Sequence, residues 1–368
     1  MAASPHALVL TPDFPPEFGG IQLLMYRLVT HFERITPTVL TVNCRGAAGF
    51  DREQPFEIVR VPSLSRRSRI AALNAGALVE GLRRRPDVVL CGHIAVSPAA
   101  WSLRRALGIP FVQYLHGQEA VTRPRLTSGG LRSAAAVVAV SRYTERLALR
   151  YGADERRLHR IPPGVDLPTR ASTGEEERKG STTIVSVARL DQRYKGIDVL
   201  LRAMPLVHAK VPQAKLQVVG DGPRRHAYER LANAVGASSY VSFLGPLPDP
   251  QRDAVVADAA VFAMPSRLPP DGGGEGFGIV YLEAAVREVP SVAGAVAGAR
   301  DAVVDGQTGL LVDPTDHVAV ADALTQLLSD PSRRRALGRA AAERARAHAW
   351  PIIAEKVEQL LVGVAEGR

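Results

Sequence analysis

Short apolar runs alternate with amphipathic stretches along this chain, and the alternation is laid down twice. In the first half the runs at His6 to Thr11, Thr38 to Val42, Ile58 to Val61, Val88 to Cys91, Phe111 to Leu115 and Ala135 to Val140 are short and apolar, which predicts buried strands. Between them, apolar residues at helical spacing predict helices near 21–32, 69–84 and 97–107, and Ser141 reads as the N-cap of another that starts at Arg142. After Asp166 the stretch Leu167 to Ser181 is polar and charged and reads as a linker. The pattern then restarts, with strands at 183–187, 216–219, 240–244, 261–264 and 291–293 and helices near 196–210, 223–235, 250–257 and 276–287. From about Asp316 the tail is helical, and Pro331 and Pro351 each open a new helix. Strands alternating with helices mean α/β architecture with mostly parallel sheets covered on both faces. The expected domains are 1–166 and 182–350, joined by 167–181.

Composition changes this picture little. At 368 residues and 46% hydrophobic content the chain can form two cored domains. No apolar run reaches the roughly 18 residues that span a bilayer, and no charged and apolar leader opens the sequence, so a soluble cytoplasmic protein is expected. Cys44 and Cys91 sit in apolar, strand-like runs and read as buried free thiols. The net charge of +9 rests on arginine, with clusters at Arg66, Arg67 and Arg69, at Arg83 to Arg85 and at Arg104 and Arg105. Such a balance suits anionic membranes or phosphorylated substrates, or is simply a chain that uses arginine as its solvated cation. Aromatic residues make up 5% of the chain and no recognition motif is present, so no nucleic-acid partner is expected. Peripheral contact with an anionic membrane, at its inner face, stays a candidate.

The chemistry gathers in Met264 to Val286, MPSRLPPDGGGEGFGIVYLEAAV. An apolar strand ends at Pro265, a turn with glycines at 272, 273, 274, 276 and 278 follows, and from Gly276 the apolar residues recur at helical spacing. Such a turn lets a ligand approach the backbone, and a helix start offers unpaired N–H groups to an anion. Glu275 and Glu283 are eight residues apart, a rise of roughly 12 Å on a helix. Carboxylates that flank one glycosidic bond stand about 5 to 9.5 Å apart, so these two do not read as an acid/base pair. They suit a long ligand with hydroxyls at each end and phosphates between, such as a nucleotide-sugar. Elsewhere, Gly19 and Gly20 open a helix after the first strand without the spacing of a dinucleotide fingerprint. His116 and Gly117 follow a buried strand at the carboxyl end of the sheet, where ligands bind in such folds. Arg189 and Lys195, in ARLDQRYKG, lie on another strand-to-helix loop and read either as solvated charges or as neutralisers of a diphosphate.

At E-x-G-F-G-x-x-x-E the sequence resembles the retaining glycosyltransferases of the GT-B fold, family four, with their E-x7-E motif. The resemblance covers nearly the whole chain, strongly at 186–196 and 264–286 and weakly at 43–85. It implies two Rossmann-like domains with a cleft between them and a last helix, about 351–366, that crosses back to the first domain. It implies that Glu275 holds hydroxyls of the donor sugar, Glu283 the ribose hydroxyls, and Gly276, Phe277, Gly278 and Ile279 the rest of the donor loop. His116 would face the donor sugar, with Glu119 against sugar or acceptor, Arg142 near the cleft, and Gly19 and Gly20 beside diphosphate and acceptor. Arg189 and Lys195 would bind the diphosphate, Gly220, Asp221 and Gly222 would lie beside the nucleotide, and the loop from Leu244 would take the base through its backbone. The link LPPDGGG before Glu275 is longer than in many members, and in this the chain looks most like the phosphatidylinositol-mannoside mannosyltransferases.

The implied function is a retaining transfer of a hexosyl group from a nucleotide diphosphate sugar to a hydroxyl of a glycan, glycolipid or small molecule. No D-x-D motif is placed to hold a divalent ion, so no metal and no further cofactor are expected. Three rivals remain. A non-catalytic nucleotide-sugar binder would keep the cradle but lose His116 or the cationic pair, a glycan phosphorylase would need a pyridoxal lysine and a longer chain, and a nucleic-acid binder has only the charge to support it.

Overall fold

The structure is a computed structural model and describes residues 4–17, 19–62, 65, 68–168, 180–270 and 272–367. Arg66 and Arg67, most of the expected linker and Asp271 lie outside the described residues. The chain divides into two units, Met1–Gly164 with Trp350–Arg368, and Val165–Ala349.

In the first unit the described residues form a parallel seven-stranded sheet, ordered β3-β2-β1-β4-β5-β6-β7. Its strands are β1 (His6–Leu10), β2 (Thr36–Val42), β3 (Glu57–Val61), β4 (Val88–Cys91), β5 (Phe111–Leu115), β6 (Ala136–Ala139) and β7 (Leu158–Arg160). The helices are α1 (Gly20–Thr30), α2 (Ala47–Arg52), α3 (Ser68–Arg84), α4 (Ser97–Leu107), α5 (Gln118–Thr122), α6 (Pro124–Ser133) and α7 (Arg142–Arg150). β4 and β5 are buried at every position because helices cover both faces of the sheet, and this is why those strands read as unbroken apolar runs. The winding reverses between β1 and β4, so the loops at their carboxyl ends splay apart and leave a crevice. Ser141 caps α7 as expected, in a reciprocal capping box with Thr144.

The second unit repeats the scheme with a parallel six-stranded sheet, β10-β9-β8-β11-β12-β13. Its strands are β8 (Thr183–Val187), β9 (Lys215–Val219), β10 (Val241–Gly245), β11 (Val261–Met264), β12 (Ser291–Gly294) and β13 (Gly309–Val312). Its helices are α8 (Ile197–Lys210), α9 (Arg225–Ala234), α10 (Asp249–Ala257), α11 (Ile279–Ala285), α12 (Ala299–Ala302), α13 (His317–Ser329) and α14 (Pro331–Arg346). Here the winding reverses between β8 and β11.

The last helix, α15 (Trp350–Glu366), belongs to the first unit, where it packs on α1, β4 and β5. Its buried Glu358 accepts the backbone N–H groups of Arg34 and Ile35, at 2.5 and 3.0 Å, which gives a buried carboxylate two partners. Trp350 is buried against Gly164 so closely that a Cβ there would stand 2.4 Å from the indole.

Several expectations are corrected. The helix of the glycine-rich stretch begins at Ile279 and not at Gly276, because Gly278 takes φ +95°, outside the helical region, and acts as its N-cap. Glu275 is therefore in the loop, and the rise of an unbroken helix does not set its distance from Glu283. Cys44 lies past the end of β2 and is only half-buried, with its thiol pKa raised by burial, whereas Cys91 is buried as expected; both are free. The short elements α2, α5, α6, β7 and β13 were not expected. Much of the arginine charge is spent internally: Arg84 binds Glu57 at 2.5 and 2.7 Å and Glu80 at 2.5 Å, and Arg83 binds Glu80 at 2.7 Å. Among the described residues no helix is long and apolar enough to cross a membrane.

Candidate active site

In the second unit the sequence-predicted residues collect on loops at the carboxyl ends of β8, β9, β10 and β11. The β8 loop carries Arg189 and Lys195, and the β9 loop carries Gly220, Asp221 and Gly222. These loops lie directly against each other: Gly220 has φ +120°, and a Cβ on it would stand 2.0 Å from the Ala188 carbonyl oxygen. Only glycine fits there. Asp221 is exposed and accepts the N–H of Gly222 at 2.7 Å. Leu244, expected in a loop that takes the base, is the penultimate residue of β10 and leaves its side chain exposed.

The β11 loop is tied down at both ends. Arg267 N–H donates to the Tyr194 carbonyl at 2.7 Å, which couples it to the β8 loop, and Gly298 N–H donates to the Glu275 carbonyl at 3.0 Å. With its backbone fixed, Glu275 meets Lys195, whose Nζ stands 2.5 Å from Oε2. Both side chains are about 15% exposed, so this is a shielded ion pair with little screening by water. Burial works against the lysine's charge, but Glu275 and Tyr194 more than offset it and raise the ammonium pKa above its ordinary value. The Tyr194 ring lies 5.0 Å from Nζ. Arg189 is exposed, with Asp191 3.8 Å away. The structure thus brings the expected sugar-binding carboxylate together with one expected diphosphate-binding cation and leaves the other open to solvent.

Glu283, on α11, is mostly shielded, and burial pushes its carboxyl pKa up against the opposing pull of Arg252, 3.7 Å away. Phe277 is buried, its ring 6.2 Å from that of His348, so any ligand contact from it must come through the backbone. Gly276 and Ile279 are half-buried on either side of Phe277 and Gly278.

In the first unit the predicted residues follow the carboxyl ends of β1, β5 and β6. Gly19 is the N-cap of α1 and Gly20 its first residue; the Gly19 φ of 169° is ordinary extended backbone. The preceding loop is clamped by Arg60, which makes a bidentate pair with Asp51, both bonds 2.8 Å, and donates to the carbonyls of Pro15 at 2.6 Å and Val42 at 3.0 Å. The rings of Tyr26, Phe50 and Phe56 stand nearly perpendicular to that of Phe14 in that loop, at 6.0, 6.4 and 6.4 Å.

His116 is stacked on Tyr114, and its Nε2 lies 2.8 Å from the Gly92 carbonyl. A carbonyl only accepts, so that contact places the proton on Nε2 and leaves the Nδ1 lone pair as the ring's acceptor. The buried Glu119 takes the backbone N–H of His116, which makes it a support for the histidine. Sequence reasoning passed over His93 and Asp13. His93 follows β4 as His116 follows β5; its Nδ1 accepts the Ala95 N–H at 3.0 Å, and burial lowers its pKa. Asp13 receives the side-chain amide of Gln22 at 3.3 Å. The pattern strand-Gly-His in VVLCGH was the available signal for His93. Arg142 opens α7. Among the described residues no group of three or more His, Cys, Asp or Glu is arranged to hold a metal ion.

Two such units, each with ligand-capable loops at its sheet's switch point, define a transferase of the GT-B type. Comparison with known proteins agrees. Residues 18–168 match the family model described as Glycosyltransferase Family 4, and residues 170–344 match that of the Glycosyl transferases group 1. The chain is 34% identical to the GDP-mannose-dependent alpha-(1-6)-phosphatidylinositol monomannoside mannosyltransferase of Mycolicibacterium smegmatis, over 98% of this chain and 99% of that one. It is also 34% identical to the GDP-mannose-dependent monoacylated alpha-(1-6)-phosphatidylinositol monomannoside mannosyltransferase of Corynebacterium glutamicum, with the same coverage. In fold it resembles the sucrose-phosphate synthase of Thermosynechococcus elongatus, with a TM-score of 0.83 at 22% identity over 99% of this chain and 100% of that one. The chain belongs to the family-four glycosyltransferases. It is an enzyme that draws a sugar from a nucleotide-sugar donor, and nothing favours the non-catalytic binder.

Proposed function

We propose that this glycosyltransferase moves mannose from GDP-mannose to a hydroxyl of a phosphatidylinositol monomannoside, with retention of configuration and without a metal ion. The observation that carries the choice of donor and acceptor is the end-to-end match to two enzymes named for that reaction. The long link before Glu275 points the same way. In this reading Glu283 holds the ribose, Gly220 to Gly222 border the nucleotide, and Glu275 orients the sugar hydroxyls. The acceptor oxygen attacks the anomeric carbon on the face from which the diphosphate leaves, and a β-phosphate oxygen takes its proton. As the bond to the diphosphate breaks, negative charge grows on that group, and Lys195 and Arg189 stabilise it. His116, acceptor at Nδ1, receives a sugar hydroxyl.

A lipid acceptor requires work at a membrane surface, and on this reading the enzyme is cytoplasmic and peripheral. The first unit offers Val79 and Leu82 on α3 and Trp101 on α4 as exposed apolar residues, with the exposed Arg105 also on α4. That mixture suits an anionic bilayer interface.

The test is transfer to phosphatidylinositol monomannoside presented in vesicles or to soluble inositol 3-phosphate, with GDP-mannose or UDP-glucose as donor and with or without EDTA. One added hexose by mass spectrometry, an α-anomer by NMR and indifference to EDTA are expected. Transfer from the uridine donor alone, or only to soluble inositol 3-phosphate, overturns the assignment of substrates; inhibition by EDTA overturns the metal-free step.

A further inference from the structure

The shielded carboxylate of Glu283 stands beside charges that come from another helix. Arg252, on α10, places Nη2 3.7 Å from Glu283 Oε1. Its guanidinium is itself held from two sides, by Asp249 Oδ1 at 2.8 Å and by Asp253 Oδ1 at 3.0 Å from Nη2 and 3.3 Å from Nε. Asp253 also pairs with Arg287 at 2.5 Å, and Arg287 donates to the Glu283 carbonyl at 2.6 Å. The charges that act on Glu283 are therefore Arg252, Asp249 and Asp253 of α10 and Arg287 just past α11. Removing Arg252 leaves two aspartates and a single arginine around a shielded carboxylate.

We infer that Arg252 is a positioning residue for nucleotide binding: its guanidinium, anchored by Asp249 and Asp253, sets a positive charge 3.7 Å from Glu283 and so favours a carboxylate that offers both oxygens as acceptors. The inference rests on the reading of Glu283 as the ribose-binding carboxylate. An ionised carboxylate only accepts hydrogen bonds, and its two oxygens can take the O–H groups of both ribose hydroxyls at once; a protonated Glu283 spends one oxygen on its own proton, takes one O–H fewer as an acceptor and loses the charge that strengthens the bonds. Burial alone pushes Glu283 toward the protonated form. Arg252 opposes that, and the two aspartates hold the guanidinium in place.

The experiment is the affinity of GDP, measured by calorimetry from pH 6 to pH 9 for wild type, Arg252→Gln, Arg252→Lys, Glu283→Gln and the double variant Arg252→Gln with Glu283→Gln. Each affinity is read as a ratio to wild type, so that titration of the nucleotide's own phosphates cancels. Arg252→Gln is expected to bind about tenfold more weakly for each unit by which the Glu283 midpoint exceeds the assay pH, and to recover as the pH rises. Arg252→Lys keeps the charge and stays close to wild type. Glu283→Gln and the double variant bind weakly with no recovery. A pH-independent loss in Arg252→Gln, or recovery that persists in the double variant, overturns the inference and reduces Arg252 to a helix contact. Unchanged GDP affinity in Glu283→Gln overturns the ribose reading on which it stands. If Arg252→Gln does not fold, Arg252→Lys decides: a loss as large as that of Glu283→Gln refutes the charge argument.

Discussion

The Lys195–Glu275 pair makes the sharpest prediction, because the two partners have been assigned separate jobs yet hold each other. At 2.5 Å, and with an effective dielectric constant of about 20, the gross attraction is roughly 6 to 7 kcal/mol; desolvation of both ions consumes most of it. Removing one partner strands the other, and for a shielded pair that costs about 3 to 5 kcal/mol. Each side chain keeps a little water contact, 15% and 14% exposure, so about 3 kcal/mol is expected for Glu275→Gln and for Lys195→Met. In a unit the size of residues 165–349 that is a fall of roughly 6 to 12 °C in Tm. The double variant removes both charges and should cost well under the sum, with a coupling energy of about 2 kcal/mol. Urea unfolding of the four proteins at pH 7.5 measures it, and additivity within about 0.5 kcal/mol would refute a pair that matters. The lysine's midpoint is raised above 10.5, so its contribution holds through neutral pH and is lost as the pH climbs past that value. Ligand binding should respond in the opposite sense to stability. Glu275→Gln frees the ammonium, so free GDP should bind more tightly than to wild type while kcat falls by about 10² to 10³.

Three further outcomes follow from single positions. Burial raises the Glu283 pKa, so its ionised form opposes folding, and the stability present below 4.5 is lost as the pH rises through the folded midpoint; Glu283→Gln should raise Tm at pH 7, and less so at pH 5, while it weakens GDP binding, and a lower Tm at pH 7 would contradict this. Gly220→Ala forces a methyl to within 2.0 Å of the Ala188 oxygen at φ +120°, and should cost about 3 kcal/mol or more in urea unfolding; a cost below about 1 kcal/mol would mean that the two loops can part. Ser141→Ala removes one half of a capping box and should cost about 1 kcal/mol by the same measurement, with GDP affinity unchanged.

The buried strands were legible because a doubly covered parallel sheet writes itself as apolar runs, as at VVLC in β4 and FVQYL in β5. Contacts between distant segments were not. Lys195 and Glu275 are 80 residues apart, and no spacing in the sequence marks them as partners; only the family resemblance placed both near a donor, and it assigned them separately. Arg252 on α10 drew no reading from the sequence, since nothing local ties it to a carboxylate on α11. The start of α11 was misplaced because Phe277 continues the helical period of the residues after it, while the positive φ of Gly278 breaks the backbone path that the period presumes. β13 is as short as β4, but it opens on a glycine at the edge of its sheet and is only half-buried at its last two positions, so it lacks the fully buried character that set β4 apart.

The last helix has a consequence for how the protein is made. The second unit is one uninterrupted stretch of chain and can be assembled as soon as it is synthesised, but the first unit lacks α15 until the chain beyond the second unit appears. Until then α1 has a bare apolar flank, and the backbone N–H groups of Arg34 and Ile35 lack the carboxylate of Glu358. The half that is synthesised first is therefore the half that is completed last, and during that interval it is the part of the nascent enzyme most exposed to aggregation and to chaperone capture.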